Sequence, residues 1–151
     1  WLTLQSIGKE GYQSLLGHSF EMSERMREKI RQHESSGIYA VNQEPYGCDI
    51  FVRCYPEGTD TSGTHARELT DDQLLRQNNE YTSKFAKWLF ANKVKGDTGI
   101  GLSKSSAAFY TDTGSPVVAL RIYPLNPYIT AESADTLIDR LAEAKHEFNH
   151  S

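Results

Sequence analysis

Apolar residues recur through the first part of the chain at near-helical steps: Tyr12, Leu15, Leu16, Phe20, Met26 and Ile30, with Glu21, Glu24, Arg25, Glu28 and Lys29 between them. That period predicts an amphipathic helix. Ser35-Ser36-Gly37 loosens the chain after it. Two runs rich in Ile, Val, Phe and Tyr, 38–41 and 49–55, then predict strands separated by the turn formers Glu44-Pro45-Tyr46-Gly47. From 56 to 69 the alternation breaks. Gly58, Thr59, Asp60, Thr61, Ser62, Gly63 and Thr64 present no apolar stripe, so the segment is expected to be a polar loop. Thr70 is placed to cap a second helix, Asp71 and Asp72 suit its positive end, and Leu74, Tyr81, Phe85, Trp88 and Leu89 continue one face to Asn92. Gly96-Asp97-Thr98-Gly99 predicts a turn, and 100–110 and 116–123 predict two further strands joined by Thr111-Asp112-Thr113-Gly114-Ser115. Thr130 caps a last helix carrying Ala134, Leu137, Ile138, Leu141 and Phe148.

Helices and strands in this order predict an α+β fold, a two-layer sandwich with a mainly antiparallel sheet and helices on one face. The other face is then informative. Val117, Ala119, Arg121 and Tyr123 share it on the last strand, and Phe51, Arg53 and Tyr55 share a face on an earlier one. A sheet wet on one side alternates apolar with polar residues, so aromatics beside arginines suggest that another domain covers this side. Without that domain Phe51, Tyr55, Ala119 and Tyr123 are expected to be exposed, and Arg53 reads as an interface residue.

The 151 residues fit one domain with a core of its own. Net charge is −4, and the charges are dispersed along the helices, which gives no nucleic-acid footprint. Cys48 and Cys54 lie six apart on one strand-like run, about 20 Å by strand rise, beyond disulfide reach, and read as reduced packing residues of a cytoplasmic protein. No leader or membrane-spanning stretch is evident, and a start at Trp1 rather than Met suggests excision from a longer protein. His18, His33, His65, His146 and His150 show no zinc spacing. His146 and His150 stand one helical turn apart but lack a third ligand, so no metal is expected.

Arg121 sits inside the apolar run Val117-Val118-Ala119-Leu120-Arg121-Ile122-Tyr123, which leads through Pro124-Leu125 into the turn Asn126-Pro127. An arginine in such a place usually has an anion to hold. Together with Trp1-Leu2-Thr3-Leu4-Gln5, Gly8-Lys9-Glu10-Gly11-Tyr12, His18 and the strand at 49–55, this stretch resembles the closing third of a pyridoxal-phosphate (PLP) amino-acid decarboxylase of the group that includes glutamate and aromatic-amino-acid decarboxylases.

The resemblance implies that 1–151 is the C-terminal small domain of a fold-type I PLP enzyme, with 1–8 as the linker from a large PLP-binding domain. It implies a cytoplasmic homodimer that releases carbon dioxide from an amino acid, with no nucleic-acid or membrane partner. Arg121 matches the residue that holds the substrate α-carboxylate, a task suited to the two parallel hydrogen bonds of a guanidinium fork. The lysine that forms the Schiff base with PLP follows a histidine in this family. None of Lys9, Lys29, Lys84, Lys87, Lys93, Lys95, Lys104 or Lys145 does so here. The cofactor lysine is therefore expected upstream of Trp1, with no catalytic or cofactor-binding residue in this chain, which alone should be inactive. Two alternatives stay open: a free-standing α+β ligand- or protein-binding module, and the small domain of another fold-type I PLP enzyme.

Overall fold

The computed structural model describes residues 2–42, 47–92 and 101–151. Residues 44–46 of the turn expected at 44–47, and the whole turn expected at 96–99, lie outside the described residues. Eight main elements follow in order: α1 (Leu2–Gln32), β1 (Ile38–Ala40), β2 (Ile50–Cys54), α2 (Thr61–Glu68), α3 (Asp72–Asn92), β3 (Gly101–Tyr110), β4 (Pro116–Tyr123) and α4 (Ala131–Asn149). The strands form one antiparallel sheet in the order β1-β2-β4-β3. The expected α+β architecture is what the chain adopts.

The core fills the space between one face of the sheet and α1, α3 and α4. Ile38, Ala40, Ile50, Val52, Cys54, Leu120 and Ile122 project from the strands against Met22, Met26 and Ile30 of α1, Phe85 and Leu89 of α3, and Ile138 and Leu141 of α4. The α1 stripe is buried only in its second half. Tyr12 and Phe20 stay largely exposed, and Ser19 and Ser23 take buried places beside Met22 and Met26. Gly8 interrupts α1 with φ 68° and ψ 180°, a conformation for which glycine is suited. At the other end of the helix Gly37 has φ 84°, and a Cβ there would lie 2.3 Å from the Tyr55 carbonyl oxygen, so only glycine lets β1 pair this closely with the end of β2. Cys48 and Cys54 are buried and free.

Two boundaries differ from expectation. The 56–69 segment is not all loop: Thr61–Glu68 is helical, capped by Asp60, whose carboxylate accepts from the Gly63 N–H. Its buried residues are Thr61, Thr64, His65 and Glu68, a helical i, i+3, i+4, i+7 stripe made of polar side chains. A search for apolar periodicity passes over it. The cap of α3 is Asp71 rather than Thr70, since the Asp71 carboxylate accepts from the N–H groups of Gln73 and Leu74, while the Thr70 hydroxyl donates back to the Arg67 carbonyl. The last helix begins as expected, with Thr130 and Ser133 forming a capping box.

The helix α3 also braces β2 and β4. The Asn79 side chain accepts from Val118 N–H and donates to the Pro116 carbonyl, and the Thr82 hydroxyl donates to the Cys54 carbonyl. Side chains of α3 thus satisfy backbone groups that the two strands do not give each other.

Candidate functional site

The second face of the sheet is set by register. Tyr39 pairs with Arg53, Phe51 pairs with Arg121, and Arg121 pairs with Ser103, so these residues line one side. The short helix α2 lies over part of it. His65 packs its ring against Tyr39 and Phe109, with centroids 5.3 and 6.0 Å away. Under α2, Arg53 donates to both Glu68 oxygens at 2.9 and 2.8 Å, to Asn79 Oδ1 and to the carbonyls of Val118 and Leu75. Glu68 also accepts from Tyr55, His65 and Asn78. Burial alone would raise the Glu68 carboxyl, but hydrogen bonds from His65 and Arg53 and the arginine charge bring it down to about 2. Burial and the Glu68 charge push the Tyr55 phenol far up.

This corrects the reading of Arg53 as an interface residue. Its side chain is fully buried within the domain, and Tyr55 and Ala119 are buried with it. For Tyr55 the expected exposure fails because α2 lies over it, with His65 and Glu68 meeting its hydroxyl. Phe51 and Tyr123 remain half-buried.

Arg121 lies farther along the same face, beyond α2. Its guanidinium donates through Nε and Nη2 to Asp49 Oδ2, the Nε bond being 2.9 Å, and through Nη2 to the Tyr123 hydroxyl. It stacks over the Tyr123 ring at 3.9 Å from the centroid and stands 5.8 Å from that of Phe51. About a third of the side chain, 34%, is exposed, enough for a solute to reach it. Asp49, which sequence reasoning passed over, is itself held in place. Its carbonyl accepts from Arg27 Nη2 and Asn42 Nδ2, while Arg27 is buried and also binds Ser23, Glu24 and the Asn42 carbonyl. The result is a cation fixed in orientation by one carboxylate and one aromatic ring, and open on the remaining side.

The lysines are arranged differently. Lys145 of α4 is buried against Tyr81 and Phe85 and donates to the Tyr81 hydroxyl at 2.6 Å and to Asn149 Oδ1. Burial lowers its amine to about 8. It belongs to the helical layer, away from Arg121. His18 donates from Nε2 to the Ile129 carbonyl at 2.9 Å, which ties α1 to the segment before α4. No helix among the described residues is long and apolar enough to cross a membrane.

No family model matches the sequence. The chain is 27% identical over 146 residues to the L-2,4-diaminobutyrate decarboxylase of Acinetobacter baumannii, an alignment that covers 96% of this chain and 23% of that protein. The crystal structure of mouse CSAD in apo form contains a similar fold, with a TM-score of 0.62 and 16% identity, covering 96% of this chain and 26% of that one. The chain thus spans about a quarter of the length of each. The resemblance read from the stretches around Gly8 and Arg121 holds: over nearly its whole length this chain is similar to one part of a decarboxylase.

Proposed function

We propose that this chain is the C-terminal small domain of a PLP-dependent amino-acid decarboxylase, and that Arg121 lines the substrate pocket and binds the α-carboxylate. The observation that carries the reading is the match of 96% of the chain to under a quarter of a diaminobutyrate decarboxylase. The fold shared with mouse CSAD is in keeping with it. Residues 1–8 act as the linker from the large domain, ending at the break in α1 at Gly8. The part of the sheet that α2 leaves open, with Phe51, Arg121 and Tyr123, faces that domain. The complete enzyme is a cytoplasmic homodimer.

PLP, when bound, supplies the electron sink for loss of carbon dioxide. The described residues do not suit its covalent attachment: Lys145 is buried and engaged by Tyr81, Lys29 is paired with Asp139, and Lys9, Lys84, Lys87 and Lys104 lie on exposed surfaces. The cofactor is therefore assigned to the large domain. What this chain contributes is orientation. A carboxylate arriving at Arg121 shares the guanidinium with Asp49, while the Tyr123 ring keeps the fork in plane.

The test uses the full-length parent. Arg121→Met removes a charge-assisted pair and is expected to lower kcat/KM by about 10- to 150-fold, with lysine restoring only part because a point charge lacks the fork. Kinetics unchanged in Arg121→Met would remove Arg121 from the pocket. A parent without carboxy-lyase activity toward any amino acid would remove the decarboxylase reading itself.

A further inference from the structure

The fold supplies the third ligand that His146 and His150 lack in sequence. Glu57, in the turn after β2, meets the last turn of α4, and one ligand atom from each of Glu57, His146 and His150 lies within 4.8 Å of the others. We propose that these three residues bind a divalent transition-metal ion of borderline softness, with zinc as the best fit. The site is independent of the decarboxylase reading.

The donor chemistry is specific. Two imidazoles and a carboxylate are a zinc donor set that leaves a fourth position for water. His150 Nδ1 lies 2.8 Å from the His146 carbonyl and must donate to it, so a neutral His150 ring carries its lone pair on Nε2. His146 Nδ1 stands 3.3 Å from both Glu57 oxygens, where an ion can replace the shared proton or where the bond can fix the tautomer that offers Nε2. The rings are one helical turn apart, with centroids separated by 4.3 Å.

Geometry requires a small adjustment. Bonds of about 2.0–2.2 Å around a tetrahedral ion put ligand atoms about 3.3–3.6 Å apart, so the present spread, at most 4.8 Å, closes by up to about 1.5 Å. His146 is 61% and Glu57 41% exposed, which leaves both side chains free to make that movement.

The carboxylate is also supported from behind. Asn149 Nδ2 donates to Glu57 Oε2, and Asn149 Oδ1 accepts from Tyr81 and from buried Lys145. An outer shell of this kind orients a ligand and distinguishes the cluster from a simple surface ion pair, which needs neither the second imidazole nor Asn149. A bound ion would clip the end of α4 to the β2–α2 connection.

Zinc is titrated calorimetrically into the 151-residue chain at about pH 7.5, where imidazole is mostly neutral, with magnesium as the hard-cation control. One zinc per chain is expected, with a dissociation constant on the order of 10 µM or tighter, a raised Tm and no magnesium uptake. His146→Ala and His150→Ala should each weaken binding by at least about 10- to 100-fold, and Asn149→Ala by about 10-fold. Circular dichroism checks that these surface variants remain folded. Absence of uptake at about 100 µM zinc, or unchanged uptake in the His146→Ala/His150→Ala double variant, would overturn the proposal.

Discussion

Arg53 and Arg121 stand on the same face of one sheet, on strands that pair with each other, yet they end in opposite situations. Arg53 is fully buried, and five hydrogen bonds surround it. Arg121 is a third exposed, and its hydrogen bonds among the described residues run to one carboxylate oxygen and one phenol. The difference is made by α2 and the first half of α3, whose Glu68, Leu75 and Asn79 close around the first and leave the second partly open. A guanidinium whose donors are all engaged is structural, because a ligand would have to displace buried partners at a cost of several kcal/mol. One held by a single partly exposed carboxylate keeps its orientation and can still accept a second anion.

The largest expected effect breaks the closed member of the pair. Arg53→Met leaves Glu68 charged and buried without its main partner, and about 3–5 kcal/mol of stability should be lost, read by urea unfolding. Arg121→Met, in contrast, should cost under about 1 kcal/mol, as a partly exposed pair does. Equal losses at the two positions would erase the distinction drawn here. Replacing Arg53 and Glu68 together by Met and Leu should recover part of the loss, since no buried charge is then left alone.

The second effect is a dependence on pH. The Glu68 carboxyl, ordinarily near 4.5, lies at about 2 in the folded chain, so the unfolded chain takes up its proton first as the solution is acidified. The stabilisation is complete above about pH 5 and is lost as pH falls toward 2; it is on the order of 2–3 kcal/mol. Unfolding measured from pH 7 to 3 should show a steeper decline for the natural chain than for Glu68→Gln. Parallel curves would mean that the carboxylate is not held in its charged form by the network.

The same pair of arginines marks how far the sequence could be read. Alternation along 117–123 placed Arg121 on the open face because strand parity is a local property. It placed Arg53 there too, and there parity misled, because whether a face is covered depends on elements distant in the chain. The covering helix α2 was illegible to a search for apolar stripes, since Thr61, Thr64, His65 and Glu68 are buried through hydrogen bonds and packing around Arg53 and Tyr55 rather than as hydrocarbons. The signal that could have found it was the spacing itself, together with Asp60 as a cap. Asp49 and Glu57 were missed for a related reason: their partners Arg121 and His146 lie 72 and 89 residues away, and a spacing rule sees only near neighbours.

The smallest effect sharpens the open member. Asp49→Asn removes the carboxylate that aims Arg121, while the backbone of residue 49 stays anchored by Arg27 and Asn42. The pair is 34% and 25% exposed, so stability should change by under about 1 kcal/mol, less still at high salt. Function should be the more sensitive readout. In the full-length parent, kcat/KM should fall by less than about 10-fold, because stacking on Tyr123 still confines the guanidinium after its aiming partner is gone. That places Asp49 as a positioning residue acting through Arg121. A rise in kcat/KM would instead make Asp49 a competitor that occupies the substrate's place, and in either case the Asp49→Asn/Arg121→Met double variant should match Arg121→Met alone, since the partner Asp49 acts through is already absent; a further loss in the double variant would place Asp49 in a role independent of Arg121.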